Sequence, residues 1–277
     1  MNQGYPYGKV LNRYEDSVLV LSESIYSPET VIRQHSHNYA YFCILLRGTY
    51  LEEFGSRRRE CKQSTVVFHP PEESHSTRFL HDGGHLFRFE FKPELFKRIS
   101  DCSLLLAEPA KFDGGTPAQL ATKLYREFRQ MDEVSVLIIE GLALEIAAYV
   151  ARKRQRESFK IPPMWLSRAS ALIYEQFASA LSLADIAKTT GVHPLHLARV
   201  FRQFEGCTIG EYIRNLRVDY AARQLCSSKI SLSELALDSG FCDQAHFSKT
   251  FRLVMGMTPS QYRSIFSPSH SSTKSSS

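Results

Sequence analysis

The chain has 277 residues, of which 43% are hydrophobic, so it can form one large or two ordinary domains with packed cores. No run of 18 apolar residues could span a membrane, and the N-terminal MNQGYPYGKV lacks the apolar centre of a signal peptide, so neither a membrane protein nor an exported one is expected. The six cysteines form no C-x-x-C pair, which argues against structural zinc or a disulfide framework and favours reduced thiols in the cytoplasm.

Charge is divided unevenly along the chain. Residues 1–151 carry 17 Lys and Arg against 20 Asp and Glu, a net charge of −3, whereas residues 152–277 carry 17 against 9, a net charge of +8. A basic C-terminal part beside a mildly acidic N-terminal part suggests a module that binds a polyanion, joined to a separate partner domain. A solvated positive face without a partner fits the composition equally well.

The first 92 residues have the β-branched and aromatic enrichment of strands. The predicted strands are SVLVLSE (17–23), YFCILLRG (41–48), STVVFH (64–69) and HLFRFEF (85–91). The clusters that we expect to separate them as turns include FGSRRRE (54–60) and HDGG (81–84). Several short strands at this spacing predict a sandwich or a small barrel.

The hydrophobic period changes to that of a helix at about residue 117. Apolar side chains then recur at helical spacing in two groups, first Leu120, Leu124 and Phe128, then Ile138, Leu142, Ile146, Tyr149 and Val150. The second stripe is wider than a lone surface helix needs. It therefore has to pack either onto the barrel of the same chain or onto a second copy.

A basic stretch interrupts this pattern. RKRQRESFKIPP (152–163) ends in two prolines and is predicted to be a short linker between a domain of residues 1–151 and a second domain of residues 164–266. Such a linker would allow the two domains to rearrange without unfolding. The Ser-rich tail of residues 267–277 is expected to be disordered.

The second domain reads as helical, and one pattern occurs in it twice. LADIAKTTGVHPLHLARVFRQFEGCT (183–208) resembles LSELALDSGFCDQAHFSKTFRLVMGMT (232–258), with a turn glycine at Gly191 and Gly240 respectively. A repeat this detailed indicates one supersecondary unit used twice. Each unit consists of a short helix, a tight turn and a second helix, with S/T-x-x-E capping boxes at Thr208 and Ser231. This is the helix-turn-helix arrangement, whose second helix enters the major groove of DNA.

Helical phase selects the side chains that would reach DNA. Leu197 and Phe201 in the first unit, and Phe247 and Phe251 in the second, are predicted to anchor each second helix in its core. The outward side chains are Leu195, Ala198, Arg199 and Arg202 in the first unit, and Gln244, Ala245, Ser248, Lys249 and Arg252 in the second. Gln can pair with adenine, Arg and Lys with guanine, and small apolar groups can touch thymine methyls. A helical hairpin whose polar residues face water is the alternative, and the duplication within a basic domain argues against it.

The pattern A-x3-G-F-x-D-Q-x-x-F-S-K-x-F-R-x3-G-x-TPSQYR at residues 236–263 resembles the signature of the AraC/XylS family of bacterial transcription regulators. The resemblance covers residues 165–264 and implies two helix-turn-helix units, joined by a long helix at EYIRNLRVDYAARQL (211–225), on successive major-groove faces of one site. The base-reading residues that it implies are Leu195, Ala198, Arg199, Gln244, Ser248 and Lys249. His193 stands where the family usually places a Ser or Thr cap, which puts that helix start in doubt. The family also implies a homodimer paired through residues 117–151, with RNA polymerase as a further partner.

A second motif lies in RQHSHNYAYFCILLRGTY (33–50) and HPPEESHSTRF (69–79). His35 and His37 are two residues apart, so both imidazoles share one face of a strand. The spacing H-x-H-x3-Y-x6-G, followed by a P-x4-H that ends at His75, resembles the cupin barrel, which sensor domains of AraC type also use. Metal-binding cupins have a Glu ligand at the position of Tyr41. Three interpretations stay open: the histidines line an effector pocket without metal, as the family implies, they hold a divalent metal with an open position, or they lie on the surface.

The strand HLFRFEF has two alternative registers. Phe87, Phe89 and Phe91 alternate with Arg88 and Glu90, so one face of the strand is apolar and the other charged. Either the phenylalanines face the barrel interior and Arg88 faces water, or they pack under the helices of residues 117–151 and Arg88 lines a polar cavity. The family resemblance favours the second register. Arg88 would then anchor a small anionic or hydroxylated effector, with His35, His37 and His75 as neighbouring polar groups.

Together these features predict an α+β fold, in which a cupin-like barrel with a helical dimerisation segment precedes an all-α double helix-turn-helix domain. The expected function is that of a cytoplasmic transcription regulator that binds duplex DNA and a small-molecule effector, without cofactor and without enzymatic activity. A metal-dependent cupin enzyme fused to a DNA-binding module is the first alternative. A thiol redox sensor using Cys43, Cys61 or Cys102 is the second, although Cys43 lies in an apolar strand typical of a core.

Overall fold

The computed structural model describes residues 8–102, 108–159, 162–228 and 230–266. The strands are β1 Lys9–Glu15, β2 Leu19–Tyr26, β3 Val31–His35, β4 Tyr41–Phe54, β5 Arg57–Lys62, β6 Thr65–His69, β7 His75–Phe91 and β8 Ala110–Asp113. The helices are α1 Pro93–Cys102, α2 Gly115–Arg129, α3 Ser135–Phe159, α4 Met164–Gln176, α5 Leu183–Thr190, α6 Pro194–Glu205, α7 Ile209–Ser227, α8 Leu232–Asp238, α9 Gln244–Met255 and α10 Pro259–Phe266. A search of the described helices finds none that could cross a bilayer.

The eight strands form one antiparallel sheet in the order β1-β2-β7-β4-β6-β8, with β3 paired to β7 and β5 paired to β4. The long strand β7 pairs with β3 along its first half and with β2 along its second, while β4 follows both halves. Side chains from β1, β2, β3, β4, β6 and β7 surround one cavity, so the sheet is curled around it. The predicted cupin-like β fold of the N-terminal domain is therefore confirmed, and its strands are antiparallel.

Two predicted turns are largely strand. HDGG lies within β7, where Gly84 pairs with Gly48 of β4. A Cβ on Gly48, which has a φ of 93°, would lie 2.2 Å from the carbonyl oxygen of Gly83, so glycine is needed here because two strands approach closely. In FGSRRRE only Gly55 and Ser56 form the turn, and its charged residues continue into β5. Charge suits β5 because it pairs only with β4 and is an edge strand.

The basic stretch after residue 151 is mostly helical. Helix α3 continues to Phe159, so the prediction that the pattern ends at residue 152 was wrong. Arg, Lys, Gln and Glu are good helix formers, and residues 152–161 contain no Gly or Pro that would end the helix. Residues 160–161 of the predicted linker and the tail of residues 267–277 lie outside the described residues.

The C-terminal region contains both predicted helix-turn-helix units, α5–α6 and α8–α9, joined by α7. Complete capping boxes begin α5, α7 and α8 at Ser182, Thr208 and Ser231. Gly206 and Gly256 adopt the left-handed conformation that ends the two second helices. Local signals written in the repeat thus set the helix boundaries of this domain.

The hydrophobic core does not follow the predicted domain boundary. The first helix-turn-helix unit has a core of its own, whereas the core of the second unit is continuous with that of the sheet, α2 and α3. At the joint between them the Tyr125 and Phe266 rings lie 5.5 Å apart, and the Gly115 N–H donates to the Asp219 carboxylate over 2.7 Å. The second unit is therefore packed onto the N-terminal domain through α2.

Candidate functional sites

The curled sheet encloses a cavity of about 840 Å³. His35, His37, His75 and Arg88 all line it, so the structure brings together the four side chains selected for the effector site. Strand β7 adopts the second of the two registers, with Phe87, Phe89 and Phe91 fully buried. The Phe87 ring lies 5.2 Å from Tyr125 and 5.1 Å from Phe128 of α2, and Arg88 consequently points to the cavity.

The histidines form a compact cluster on one wall. The His75 ring lies 4.4 Å from His35 and 5.6 Å from His37, and its Nε2 is 3.0 Å from the Tyr41 hydroxyl. Burial lowers the pKa of His37 to about 4 and that of His75 to about 3, and neighbouring histidines add to both effects. Both imidazoles are therefore neutral at pH 7.

A buried charged network that no sequence motif predicts lies beside this cluster. His69 contacts Glu73 over 2.5 Å and Glu52 over 3.3 Å, and Arg59 forms a short ion pair with Glu52. Burial by itself would raise the pKa of Glu52, but the charge and hydrogen bond of His69, together with Arg59, lower it to about 2. His69 and Glu73 lie four residues apart in HPPEES, which is a weak signal, while Arg59 was assigned to a turn.

Arg88 is held in place by a carboxylate. Its Nε lies 3.2 Å from Glu90 Oε1, and its guanidinium carbon lies 5.3 Å from the centre of the Tyr41 ring. Burial lowers the pKa of Arg88 to about 10, against the effect of Glu90, so the guanidinium stays charged at pH 7. Ser22, Ser24 and Thr77 add hydroxyl groups to the same cavity. The walls therefore carry both hydrogen-bond donors and acceptors, and the charges of Arg88 and Glu52 are each compensated by a neighbouring group.

The second helices of both helix-turn-helix units present the side chains that helical phase selected. The anchors Leu197, Phe201, Phe247 and Phe251 are fully buried. The outward residues that are exposed are Leu195, Arg199, Arg202, Gln244, Ala245, Lys249 and Arg252, and Ala198 and Ser248 are half-buried. Leu195 is 74% exposed, so its side chain is accessible to another molecule.

The doubtful start of α6 is capped after all. His193 is its N-cap residue, and the His193 Nδ1 accepts a hydrogen bond from the Leu195 N–H over 3.3 Å. Pro194 follows at the first helical position, where its missing N–H costs nothing. The imidazole therefore replaces the hydroxyl cap, and Leu195 is held in the first turn of the helix. In the second unit Asp243 caps α9 by accepting from the His246 N–H over 2.7 Å.

Comparisons with known proteins divide the chain in the same way. Residues 21–147 match the model of an AraC-like ligand binding domain, and residues 186–265 match that of a helix-turn-helix domain. The transcriptional activator AarP of Providencia stuartii is 38% identical over 98 residues, which are 35% of this chain and 73% of AarP. The transcriptional activator RhaR of Yersinia pestis bv. Antiqua (strain Angola) is 25% identical over 253 residues, 86% of this chain and 87% of RhaR.

Among solved structures, that of an apo ToxT variant from Vibrio cholerae aligns with a TM-score of 0.44 and 13% identity, covering 92% of this chain and 100% of that one. The two family models and the relatives agree with the sheet-enclosed cavity and the two helix-turn-helix units. The chain thus belongs to the AraC family, as a DNA-binding transcription regulator with an N-terminal ligand-binding domain.

Proposed function

We propose that the protein activates transcription from a specific DNA site when a small hydroxylated molecule binds in the N-terminal cavity. The observation that carries this proposal is the continuous core joining the sheet, α2 and the second helix-turn-helix unit. The cavity is lined by a separate apolar cluster on the opposite face of the strands that carry this core, so a movement of those strands on ligand binding can alter how the DNA-reading helix is presented. The relatives AarP and RhaR are named as activators, which supports activation here. Activation of transcription requires RNA polymerase, which we therefore propose as a partner.

The two exposed recognition surfaces support the DNA-reading part of the proposal. Arg199 and Lys249 are exposed on α6 and α9, where each can reach a guanine edge, and Gln244 at the start of α9 can pair with adenine. Arg202 and Arg252 lie later on the same helices and suit phosphate contacts. Leu195 and Ala198 can cover thymine methyls, and Ser248 can bond a base or phosphate. A protein that reads the genome in this way acts in the bacterial cytoplasm.

Charge pairing in the cavity favours a hydroxylated effector over an anionic one. A carboxylate ligand would compete with Glu90 for Arg88 and would approach Glu52, which is buried and ionised. A hydroxyl group can donate to Glu90 and accept from Arg88 at once, so it satisfies both without separating charges. The neutral imidazoles of His37 and His75 offer further polar contacts. An array of this kind suits a compact molecule with several hydroxyl groups.

A buried carboxylate connects the cavity wall to α2. Glu23 lies on β2 between the cavity-lining Ser22 and Ser24, and it accepts hydrogen bonds from Tyr125 over 2.7 Å and Arg129 over 3.0 Å. Burial would raise the pKa of Glu23, but hydrogen bonds, that from His85 foremost, lower it to about 2. A movement of β2 on ligand binding would therefore be transmitted to α2 through these hydrogen bonds. An effector shifts the domain arrangement only by binding one state better than the other.

The exposed apolar end of α3 supports a homodimer. Leu137 is 72% exposed, and Val134 and Ile138 beside it are also exposed. Ile146 and Val150, by contrast, are buried against the same chain. The C-terminal part of the predicted stripe therefore packs within the chain, whereas its N-terminal part forms an exposed apolar patch. We propose that the second copy binds at this patch.

The test is selection of duplex DNA by the full chain, repeated in the presence of a library of sugars and polyols. We expect one enriched sequence motif, with affinity that falls steeply with salt because lysine and arginine contacts displace counterions. At least one compound should change the affinity or the footprint. Enrichment of no motif at moderate salt would reject the DNA-reading part, and enzymatic turnover of the effector would reject the assignment as a regulator without catalytic activity.

A further inference from the structure

The polarity of the cavity wall changes along β7. The six residues of this strand that line the cavity are His75, Thr77 and Phe79 from its first half, and Leu86, Arg88 and Glu90 from its second. The polar side chains lie toward the two ends of the strand, whereas Phe79 and Leu86 flank its middle. Gly84, between them, pairs with Tyr26 of β2. The cavity therefore has an apolar end at the middle of β7, which we call the inner end.

Five side chains from four strands form the inner end. They are Tyr26 of β2, Ile32 of β3, Tyr50 of β4, and Phe79 and Leu86 of β7, and all five belong to one apolar cluster. The Tyr26 and Phe79 rings are stacked with their centres 4.3 Å apart, and the Tyr50 ring lies 5.6 Å from that of Phe79. A Cβ on Gly84 would lie 2.2 Å from the Phe79 ring, so a glycine at this position makes room for the stacked rings.

The polar atoms of the inner end already have partners within the protein. The Tyr50 hydroxyl lies 3.6 Å from the Cys43 Sγ, and the Tyr26 hydroxyl forms a hydrogen bond with Ser24. Burial raises the pKa of Cys43 and that of Tyr26 to about 12, so both groups are neutral at pH 7. A ligand hydroxyl group placed here would lose hydrogen bonds to water without replacing all of them, which is costly. The inner end therefore disfavours the polar part of a ligand.

Apolar surface at the inner end is available to a ligand. Tyr26, Ile32 and Leu86 line the cavity and are only half-buried. The cavity volume of about 840 Å³ lies within the range of about 300–1,000 Å³ that is typical of small-molecule sites. A polyol held by Arg88 and Glu90 alone would leave the three apolar side chains in contact with water.

We propose that the effector is an amphipathic molecule, whose hydroxyl groups contact Arg88 and Glu90 and whose apolar group fills the inner end. An aromatic ring or a short alkyl chain supplies such a group. Covering the apolar wall removes it from water, so the apolar group should raise the affinity at least about tenfold over that of the same hydroxylated molecule without it. The inference rests on the proposed function for the hydroxylated part of the molecule and adds the apolar part.

The first test is a titration of the full chain with N-phenyl-1-naphthylamine, a neutral fluorescent probe that has aromatic rings and no hydroxyl group. This probe reports on the inner end whatever the polar part of the effector is. We expect one saturable site per chain. Leu86→Gln and Ile32→Gln each place an amide in the apolar wall, and each should weaken binding of the probe by about tenfold or more.

Leu237→Gln is the matched control, because Leu237 is 62% exposed on α8 and lies outside the cavity lining. It should bind the probe as the unaltered chain does. The proposal is overturned if the unaltered chain shows no saturable site. It is also overturned if Leu86→Gln and Ile32→Gln bind the probe as tightly as Leu237→Gln while their melting temperatures show that they are folded.

The second test is displacement of the bound probe by methyl, n-hexyl and phenyl β-D-glucopyranosides and by the corresponding galactosides and xylosides. Each set shares one hydroxylated part and differs only in the apolar group. We expect the hexyl or the phenyl compound of a set to displace the probe at a concentration at least about tenfold lower than the methyl compound, and their order distinguishes a chain from a ring. Equal displacement by all three compounds of every set would contradict the proposal.

The outcomes are separable from those of the proposed function. Probe binding involves no DNA, so failure of operator selection would leave it unchanged. An inner end that binds no apolar group would, conversely, leave operator selection and any response to sugars and polyols intact.

Discussion

At the scale of single residues, the cavity is organised by paired charges. Arg88 pairs with Glu90, and Arg59 and His69 with Glu52, so several ionisable groups coexist in one partly buried space. Burying an ion is costly unless a partner and hydrogen bonds compensate it. The pairs therefore keep the cavity polar and folded without ligand, and a ligand has to replace these contacts rather than add to an empty surface.

Removing the cation beside Glu90 should abolish effector binding. In the double variant Arg88→Ala with Glu90→Gln, the second change removes the carboxylate that Arg88 compensates, so the chain should stay folded. The ligand-induced rise in melting temperature, found first by screening polyols and sugars against the unaltered chain, should disappear. Arg78→Ala removes an exposed guanidinium from the same strand and should leave the rise intact. An unchanged rise in the double variant would exclude Arg88 from the effector site.

Loss of a base-reading side chain should change specificity at one position. Arg199→Ala and Lys249→Ala should each relax discrimination by about 1–3 kcal/mol at a separate base pair, about one helical turn apart. Competition binding against single-base variants of the selected site measures this. Lys188→Ala, an exposed cation on α5, should weaken all sequences alike. Uniform weakening by Arg199→Ala and Lys249→Ala would instead assign both side chains to phosphates.

At the scale of elements, one part of α3 packs within the chain and another part exposes apolar side chains. Its middle turns bury Ile146 and Val150 in the core of the same chain, and its first turns expose Leu137 and Ile138. Leu137→Glu should convert a dimer of the full chain into monomers, because an unpaired carboxylate would be buried at the interface. Sedimentation at tens of micromolar measures this. Met164→Glu, which alters an apolar side chain that is 73% exposed on α4, should remain dimeric. A monomeric unaltered chain would end the dimer proposal.

At the scale of the whole molecule, the contact between the start of α2 and α7, the helix that joins the two helix-turn-helix units, contains a buried carboxylate. Asp219 is 2% exposed and accepts from the Gly115 N–H, while its Oδ1 has no hydrogen-bond partner among the described residues. Burial raises the pKa of Asp219 to about 6, although the Gly115 hydrogen bond and the charge of Arg223 act in the other direction. Among the described residues, Tyr212 and Tyr262 also interact electrostatically with Asp219.

Protonation of Asp219 should strengthen this contact. Because its folded pKa lies above the ordinary value of 3.8, the folded chain binds the proton more tightly, and stability from this group rises as pH falls from about 7 toward 4. The full difference is on the order of 3 kcal/mol. Asp219→Asn should therefore be more stable than the unaltered chain at pH 7.5, with the difference shrinking by pH 5. Thermal melting at both pH values measures it, and a difference independent of pH would contradict the assignment.

The DNA-binding half of this protein could be predicted in detail from its sequence. The repeat, the capping boxes and the four-residue spacing of Phe247 and Phe251 act within a few residues of one another, so they determine helices and exposed faces locally. The alternation in HLFRFEF likewise left only two possible orientations for the Arg88 side chain. The spacing of the three cavity histidines was sufficient to select them as candidate site residues. These features depend on the regular repeat of side-chain direction along a helix or a strand, so they can be recognised from the order of the residues alone.

Only the tertiary structure determines which side chains and elements come into contact. The network of Arg59, Glu52 and His69 forms because strand pairing brings three successive strands side by side, and a stretch that reads as a turn becomes β5 because β4 offers it an edge. The shared core across the predicted domain boundary, with Asp219 buried against Gly115, is likewise non-local. Register and packing depend on partners far away in sequence, and a single strand or helix carries little information about the partner that will cover it.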